Sequence, residues 1–112
     1  MISVEELRAR QPEADWLGIV VEAAEALGYR VYHTTFSLGS GAGYPDLTIV
    51  GRDGRGRARC LFVELKTQRG TVTPAQRDWL AWIADCGQEA YVWRPSDFEA
   101  ALAILRGEEE EA

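Results

Sequence analysis

The chain has 112 residues, of which 46% are hydrophobic and 27% charged, and its formal net charge at neutral pH is −6. This length suits one domain with a single core, and no apolar run is long enough to span a membrane. No basic-then-apolar signal segment opens the sequence, so we expect a cytoplasmic protein without a membrane partner. The negative charge argues mildly against a nucleic-acid partner, but Glu108 to Glu111 supply four of the negative charges. We predict a folded domain over residues 1–107 and a disordered acidic tail over residues 108–112.

Two helices and one strand are predicted before a glycine-rich loop. The capping-box pattern from Ser3 to Glu6 predicts a short helix. Pro12 begins a longer helix, which carries apolar residues at helical spacing and ends at Gly28. The β-branched and aromatic residues from 31 to 36 predict the first strand, and residues 37–43 predict a loop.

A β-hairpin and a capped helix are predicted next. Residues 47–50 and 58–65 are apolar runs typical of strands, and Asp53-Gly54 between them is a turn signal. A capping-box pattern from Thr73 to Gln76, with a proline at the first helical position, indicates where a helix begins. Gly87 ends the apolar stripe of this helix.

The last predicted elements are a fourth strand and a final helix. Residues 90–93 form a short apolar run, and the capping-box pattern from Ser96 to Glu99 predicts a helix that extends to about Arg106. The order of the domain is therefore α-β-β-β-α-β-α. Since a helix lies between the third and fourth strands, those two strands can pair in parallel. We expect a mixed central sheet flanked by helices.

Three charged residues interrupt or adjoin the predicted buried strands. Asp46 precedes the second strand, and Glu64 and Lys66 share one face at the end of the third strand, because side chains alternate along a strand. Burial of such charges is costly unless they are paired or bind a metal. Carboxylate oxygens hold hard divalent ions, which activate water for phosphodiester cleavage. The alternatives are an Asp46 that bonds only its own turn and a Glu64–Lys66 pair on a half-exposed strand.

Four segments in order resemble the VRR-NUC (virus-type replication-repair nuclease) family of the PD-(D/E)XK nuclease superfamily. These segments are G-Y-P-D-L from residue 43, F-V-E-L-K from residue 62, R-G-T-V-T-P-A-Q from residue 69 and V-W-R-P-S-D from residue 92. The resemblance extends from about Glu13 to Leu105 and is to stand-alone members typical of phages and bacteria. It implies an α/β fold with a single restriction-endonuclease-like domain.

The resemblance also implies roles for individual residues. Asp46 and Glu64 would bind the metal ion, with the backbone carbonyl of Leu65 as a third oxygen ligand. Lys66 would orient or activate the attacking water, or stabilise the charge that develops on the phosphate. Gln76 would support the site; its alternative is to serve only as the capping partner of Thr73.

Two residues nearer the N-terminus each have a catalytic or binding interpretation and a structural one. Glu13 stands at the N-terminal end of the apolar stripe of its helix, three residues before Trp16, as the corresponding acid of the related family does. The alternative for Glu13 is a first-turn acid that the helix dipole favours. His33 is the only histidine. We favour a structural, partly buried role for it over a contact with DNA.

An arginine-rich stretch is a weaker candidate for contact with the DNA backbone. The alternative is a solubilising hairpin. The predicted DNA-binding residues are Arg52, Arg55, Arg57, Arg69 and Ser37, the last in the glycine-rich loop.

The resulting hypothesis is an endodeoxyribonuclease that depends on Mg²⁺, with Mn²⁺ as a substitute, and that leaves a 5′-phosphate and a 3′-hydroxyl. By resemblance, its partner would be branched DNA, such as Holliday junctions or flaps, in the repair or recombination of a bacterial or phage-infected cell. Two symmetric cuts in a junction would require a homodimer. The alternatives are a restriction-type or general nuclease, and a catalytically inactive DNA-binding or interaction module on the same fold.

Overall fold

A computed structural model of the chain describes residues 13–35 and 41–109. Over these residues the elements are α1 (Glu13–Ala26), β1 (Arg30–His33), β2 (Leu47–Arg52), β3 (Ala58–Leu65), α2 (Pro74–Asp85), β4 (Glu89–Trp93), a 3₁₀ turn (Pro95–Asp97) and α3 (Phe98–Arg106). None of the helices in the described part of the chain is long and apolar enough to cross a membrane. The short helix predicted from Ser3, the start of the longer helix at Pro12, and Ser37 lie outside the described residues.

The sheet is mixed, as predicted. Its strand order is β1-β2-β3-β4, in which β1 and β3 each pair antiparallel with β2, while β4 pairs parallel with β3. A parallel pair needs a crossover, and α2 supplies it. The register places His33 opposite Leu47 and Leu47 opposite Val63. The α/β fold with a mixed sheet and flanking helices is therefore confirmed.

The core lies between one face of the sheet and the helices α1 and α3. Alternate residues of β2 and β3 point into it, as the period of two in a strand requires. The indole of Trp16 anchors α1 there, since its Nε1 donates a hydrogen bond of 2.9 Å to the carbonyl of Trp93. The core side chains are Trp16, Val20, Ala24, Tyr29, Leu47, Ile49, Leu61, Val63, Leu65, Trp93, Ala101 and Leu105.

Helix α2 packs on the opposite face of the sheet, against β3 and β4. It begins as predicted, because the Thr73 hydroxyl accepts a hydrogen bond from the Gln76 amide and Pro74 takes the first position. None of its residues is buried, and Trp82 is 63% exposed. The apolar stripe of α2 is therefore covered only in part by the described residues.

The end of the first strand and the start of the final helix differ from the prediction, and one predicted tail residue makes tertiary contacts. The first strand ends at His33 rather than at residue 36. The capping box at Ser96 does not form, because the Ser96 hydroxyl and amide both bond to the side chain of Gln68, and α3 begins at Phe98. Glu109, which we assigned to a disordered tail, forms a salt bridge of 2.9 Å with Arg59. Residues 110–112 lie outside the described part.

Candidate active site

Asp46 is held between the two strands that flank it. It directly precedes β2, and the pairing of Leu47 with Val63 places it beside the end of β3. The Leu65 amide donates a hydrogen bond of 2.8 Å to the Asp46 side chain. The Asp46 carbonyl accepts one of 2.8 Å from the Thr34 amide, just beyond β1. These two contacts fix the carboxylate at the edge of the sheet without any help from its own turn.

The loop that leads into Asp46 is docked on the first turn of α2. Gly43 has a φ of +88°, and a Cβ atom there would lie 2.5 Å from the backbone carbon of Ala75. Only glycine fits such a conformation at such a close approach. The Trp79 indole donates a hydrogen bond of 3.1 Å to the Ala42 carbonyl. The loop and α2 therefore position Asp46 as one unit.

Glu64 is the most heavily buried charged group of the site, with 2% of the residue exposed. Its Oε2 accepts a hydrogen bond of 3.0 Å from the side-chain Nε2 of Gln76, and its Oε1 is buried without a hydrogen-bond partner among the described residues. Burial, and next the negative charge of Asp46, raise the pKa of Glu64 to about 8. The Lys66 ammonium favours the charged form but does not outweigh these effects. The protein thus holds a carboxylate where its charge is only partly compensated.

Lys66 follows Glu64 by two residues at the end of β3. Its Nζ lies 3.9 Å from Glu64 Oε2, and its side chain is 14% exposed. The Lys66 amide donates a hydrogen bond of 3.1 Å to the Trp93 carbonyl, which fixes the backbone where the strand ends. The arrangement places a cation beside the Glu64 carboxylate. Lys66 is also the only lysine among the twelve lysine and arginine residues of the chain.

Gln76 combines the two interpretations that the sequence left open. Its Oε1 accepts a hydrogen bond of 2.9 Å from the Thr73 amide, which completes the capping box. Its Nε2 donates the bond to Glu64. Since the Thr73 amide can only donate, it fixes the carboxamide so that the nitrogen faces the carboxylate. The capping box of α2 therefore also orients Glu64, a candidate metal ligand.

Glu13 and His33 line a cavity of about 230 Å³ together with Asp46 and Leu65. Glu13 is exposed in the first turn of α1, and both its helix-dipole interpretation and its site interpretation stay predictions. His33 is exposed at the end of β1, which disagrees with the partly buried role that we favoured. The reason is positional: β1 ends at His33, on the edge of the sheet. Sequence reasoning had no signal for the β1–β2 register that brings His33 to this cavity.

The two carboxylates fit a hard divalent cation. Glu64 Oε1 has no hydrogen-bond partner among the described residues, and burial, together with the neighbouring Asp46 charge, raises the pKa of Glu64. A cation bound there would stabilise the charged form of Glu64. Among residues 13–35 and 41–109, no group of three or more histidine, cysteine, aspartate or glutamate side chains is arranged to hold a metal. A cation would therefore rely on Asp46, Glu64, a backbone oxygen such as that of Leu65, and water, a mixed ligand set that Mg²⁺ commonly takes.

The predicted DNA-binding arginines are divided between two regions. Because a strand rises about 3.3 Å per residue, the hairpin with Arg52, Arg55 and Arg57 lies roughly 20 Å from Asp46. Arg57 forms a salt bridge of 2.9 Å there with Asp53. Arg69 is exposed on the turn that follows Lys66. The structure thus brings only Arg69 of these four near the carboxylates, and DNA contact by any of them stays a prediction.

Comparison with known proteins agrees with this geometry. A family model described as the VRR-NUC domain matches residues 13–97, which include every candidate side chain of the site. No curated protein matches the chain significantly. A solved structure titled "VRR_NUC domain protein" is 20% identical, with 89% of this chain and 92% of that chain covered and a TM-score of 0.68, and this similarity shows the fold. The chain belongs to the VRR-NUC family and is a nuclease domain of the PD-(D/E)XK type.

Proposed function

We propose that this protein is a Mg²⁺-dependent DNA endonuclease that cuts branched DNA, such as Holliday junctions or flaps. One observation supports the metal dependence above all others: Glu64 is buried beside Asp46, with one oxygen unpartnered and a pKa raised to about 8. A domain without catalytic work has no need of such a site, because the same position could hold an apolar residue at lower cost.

Asp46, Glu64 and the Leu65 carbonyl would hold the cation. When bound, Mg²⁺ would activate a water molecule and neutralise the charge that develops on the phosphate, and Mn²⁺ could replace it. The chain's own groups would prepare this site. The Leu65 amide fixes Asp46, the Gln76 carboxamide fixes Glu64, and the Lys66 ammonium supplies positive charge beside the reacting phosphate.

Glu13 would act from the other side of the cavity. Its carboxylate lines the same space as Asp46, and its charge is among the influences that raise the pKa of Glu64. An acid there is suited to orient a metal-bound water or a second cation. His33 lies in the same lining and would contact the DNA backbone.

The proposed preference for branched DNA is supported by the resemblance to the family and by the small size of the domain. A chain of 112 residues has little surface for base readout, and no helix-turn-helix or zinc-finger pattern was found in its sequence. A homodimer would supply two sites for symmetric cuts. Apolar side chains are exposed on the face that α2 leaves uncovered, with Tyr32 65% exposed and Val50 39% exposed, and a partner subunit would bury them. We place the protein in the cytoplasm of a bacterial or phage-infected cell.

The test is cleavage of end-labelled four-way junction, flap and linear duplex DNA in Mg²⁺. EDTA should abolish cutting, and the Lys66→Ala variant should reduce it to a small residual rate. The matched control is Arg106→Gln, which removes one positive charge at the exposed end of α3 and should cut normally. Faster cutting of junctions or flaps than of duplex is the expected result. Equal cutting of all three would indicate a general nuclease, and binding without cutting would indicate an inactive module.

A further inference from the structure

A single arginine closes the turn that follows Lys66. The Arg94 guanidinium donates hydrogen bonds from Nη1 to the carbonyls of Thr67, at 2.8 Å, and Gly70, at 2.6 Å. The Gly70 amide in turn donates a bond of 3.2 Å to the Thr67 carbonyl. Both ends of the turn are therefore tied to one side chain, which comes from the segment after β4.

This turn lies against the side chain of Lys66. A Cβ atom built on Gly70 would lie 3.6 Å from Lys66 Cδ and 2.9 Å from the Thr67 hydroxyl. Gly70 thus forms part of the surface on which the lysine stem packs. A lysine side chain has four rotatable bonds and loses considerable freedom when it is ordered, so such a surface decides where its ammonium lies.

Arg94 is itself well anchored. Its amide donates a hydrogen bond of 2.8 Å to the Asp97 carboxylate. The residue before it, Trp93, accepts hydrogen bonds at its carbonyl from the Lys66 amide and from the Trp16 indole. The end of β4 therefore holds the backbone of Lys66 through Trp93 and holds the following turn through Arg94.

We propose that Arg94 is a positioning residue for Lys66. It fixes the turn of residues 67–70 so that the lysine stem is supported and the ammonium stays beside Glu64. The proposal rests on the proposed function only for its catalytic consequence. The guanidinium suits the task because both bonds come from Nη1, whose two hydrogens are held in the rigid guanidinium plane, whereas the hydrogens of an ammonium rotate on a flexible stem.

A different role for Arg94 would be direct contact with a DNA phosphate. That role predicts weaker binding of DNA, a higher KM and an effect that does not depend on Lys66. Positioning predicts a lower kcat, little change in KM, and no further loss in a protein that already lacks the lysine. The two roles are therefore separable by kinetics.

The first experiment needs no catalysis. Since Lys66 is the only lysine, protein labelled with ¹³C-lysine gives a single Cε signal by NMR. In Arg94→Gln we expect this signal to move towards that of an unstructured lysine and to sharpen. Arg94→Lys should give an intermediate change, and the matched control Arg106→Gln none. An unchanged Cε signal in folded Arg94→Gln protein would overturn the proposal.

A second variant guards against a failure of Arg94→Gln to fold. Gln68 ties the same turn to Ser96 through two hydrogen bonds, of 2.9 and 3.0 Å, at an exposed position. In Gln68→Ala, which should remain folded, we therefore expect the Lys66 Cε signal to shift and sharpen in the same direction, but less than in Arg94→Gln. If this signal keeps its wild-type position and width, the turn does not support the lysine and the proposal is wrong.

The second experiment measures cleavage in a double-mutant cycle. Arg94→Gln should lower kcat by about 10- to 100-fold, the usual cost of losing a group that orients a catalytic residue. In the Lys66→Ala background, the same change should have no further effect. An additive loss would indicate a phosphate contact instead. If the wild-type protein cuts no DNA, the proposed function fails, while the NMR result still decides the role of Arg94.

Discussion

The two ends of the β2–β3 pair each bury a carboxylate, and they treat it in opposite ways. At the hairpin end, Asp53 is fully surrounded by donors. It accepts hydrogen bonds from the amides of Arg55 and Arg57, at 2.9 and 3.1 Å, and from the guanidinium groups of Arg57 and Arg59, at 2.9 and 3.0 Å. Burial alone would raise the pKa of Asp53, but these bonds outweigh it and hold the pKa well below its usual value.

At the other end, Glu64 receives one hydrogen bond from a neutral amide and has one oxygen without a partner. Its nearest charged neighbours include another carboxylate, Asp46, as well as Lys66 at 3.9 Å. Burial, reinforced by Asp46, raises the pKa of Glu64 to about 8. The same sheet thus holds one acid that is completely paired and one that is not.

Whether a buried acid is completely paired distinguishes a structural residue from a functional one more clearly than its burial does. A buried acid with every oxygen satisfied stabilises the segment it bridges, as Asp53 does within the hairpin. A buried acid without a fully compensating positive charge lowers the stability of the fold, and such acids are typical of ligand-binding sites. Four tests address this difference between the two carboxylates, in order of decreasing expected effect.

The largest effect is expected from exchanging the charge at each end for a neutral amide. Asp46→Asn should lower the cleavage rate by about a thousandfold or more, because a bound metal supplies several kcal/mol of transition-state stabilisation. Above about pH 8, where Glu64 is also ionised, the thermal midpoint of Asp46→Asn should stay the same or rise, since one of two neighbouring like charges is removed. Rates on junction DNA and melting curves measure the two properties.

The partner change, Asp53→Asn, should do the reverse. Arg57 and Arg59 would lose their buried counter-charge, so the melting temperature should fall. Cleavage by protein that is still folded should stay close to wild type. The contrast fails if Asp53→Asn loses activity below its melting temperature, or if Asp46→Asn retains it.

The next largest effect is expected at Gln76. Gln76→Leu should lower cleavage by about 10- to 100-fold, because Glu64 would lose the hydrogen bond from the Gln76 side chain that orients it. Part of any loss could arise from the helix cap, so Thr73→Ala is the matched control. It removes the cap at a cost of about 1 kcal/mol and leaves the Glu64 contact in place. Equal losses of activity in the two variants would show that Gln76 acts only through the cap.

A smaller effect is expected on stability as a function of pH. Because the pKa of Glu64 is raised in the folded state, its contribution to stability is complete below about pH 4.5 and is lost as the pH rises towards 8. In EDTA, the free energy of unfolding should therefore fall over this range by an amount on the order of a few kcal/mol. Mg²⁺ should reduce this decrease in the free energy of unfolding, since the cation would compensate the charge that Glu64 acquires when it loses its proton.

Glu64→Gln isolates this contribution. In urea unfolding from pH 4.5 to 8, this variant should show a flatter curve than wild type, while Glu22→Gln on the exposed side of α1 should not. Asp53 does not interfere, because a lowered pKa affects stability only at more acidic pH. A Glu64→Gln curve as steep as that of the wild type would refute the account of this end of the sheet.

Local patterns were sufficient for most of the fold. The third strand runs from Ala58 to Leu65 as predicted, and Thr73 caps its helix, because both depend on neighbouring residues. The capping box at Ser96 failed because Gln68, 28 residues away in sequence, competes for the same hydroxyl. A pattern within four residues contains no information about such a distant competitor.

The site shows the same division. The positions of Asp46 and Glu64 beside each other require only the hairpin register, which the turn signal indicates. The exposure of His33 and the clamp formed by Arg94 depend on contacts between segments far apart in the chain, which no local signal reveals. Whether the assigned residues catalyse remains a prediction, since the geometry establishes only their proximity.

The smallest effect concerns DNA binding and again contrasts the two ends. Arg69 lies on the turn after Lys66, whereas Arg55 lies on the hairpin roughly 20 Å from Asp46. If DNA lies across the carboxylates, Arg69→Gln should weaken junction binding and lower the slope of log K against log salt by about 1. Arg55→Gln should leave both unchanged.

Fluorescence anisotropy of labelled junction DNA in EDTA, over a series of NaCl concentrations, measures this slope without cleavage. Equal losses for Arg69→Gln and Arg55→Gln would mean that the hairpin also contacts the backbone, as the arginine-rich sequence first indicated. In that case the salt-bridged end of the sheet would have a binding role besides its structural one. An effect of Arg69→Gln alone would instead assign stability to one end of the sheet and the DNA to the other.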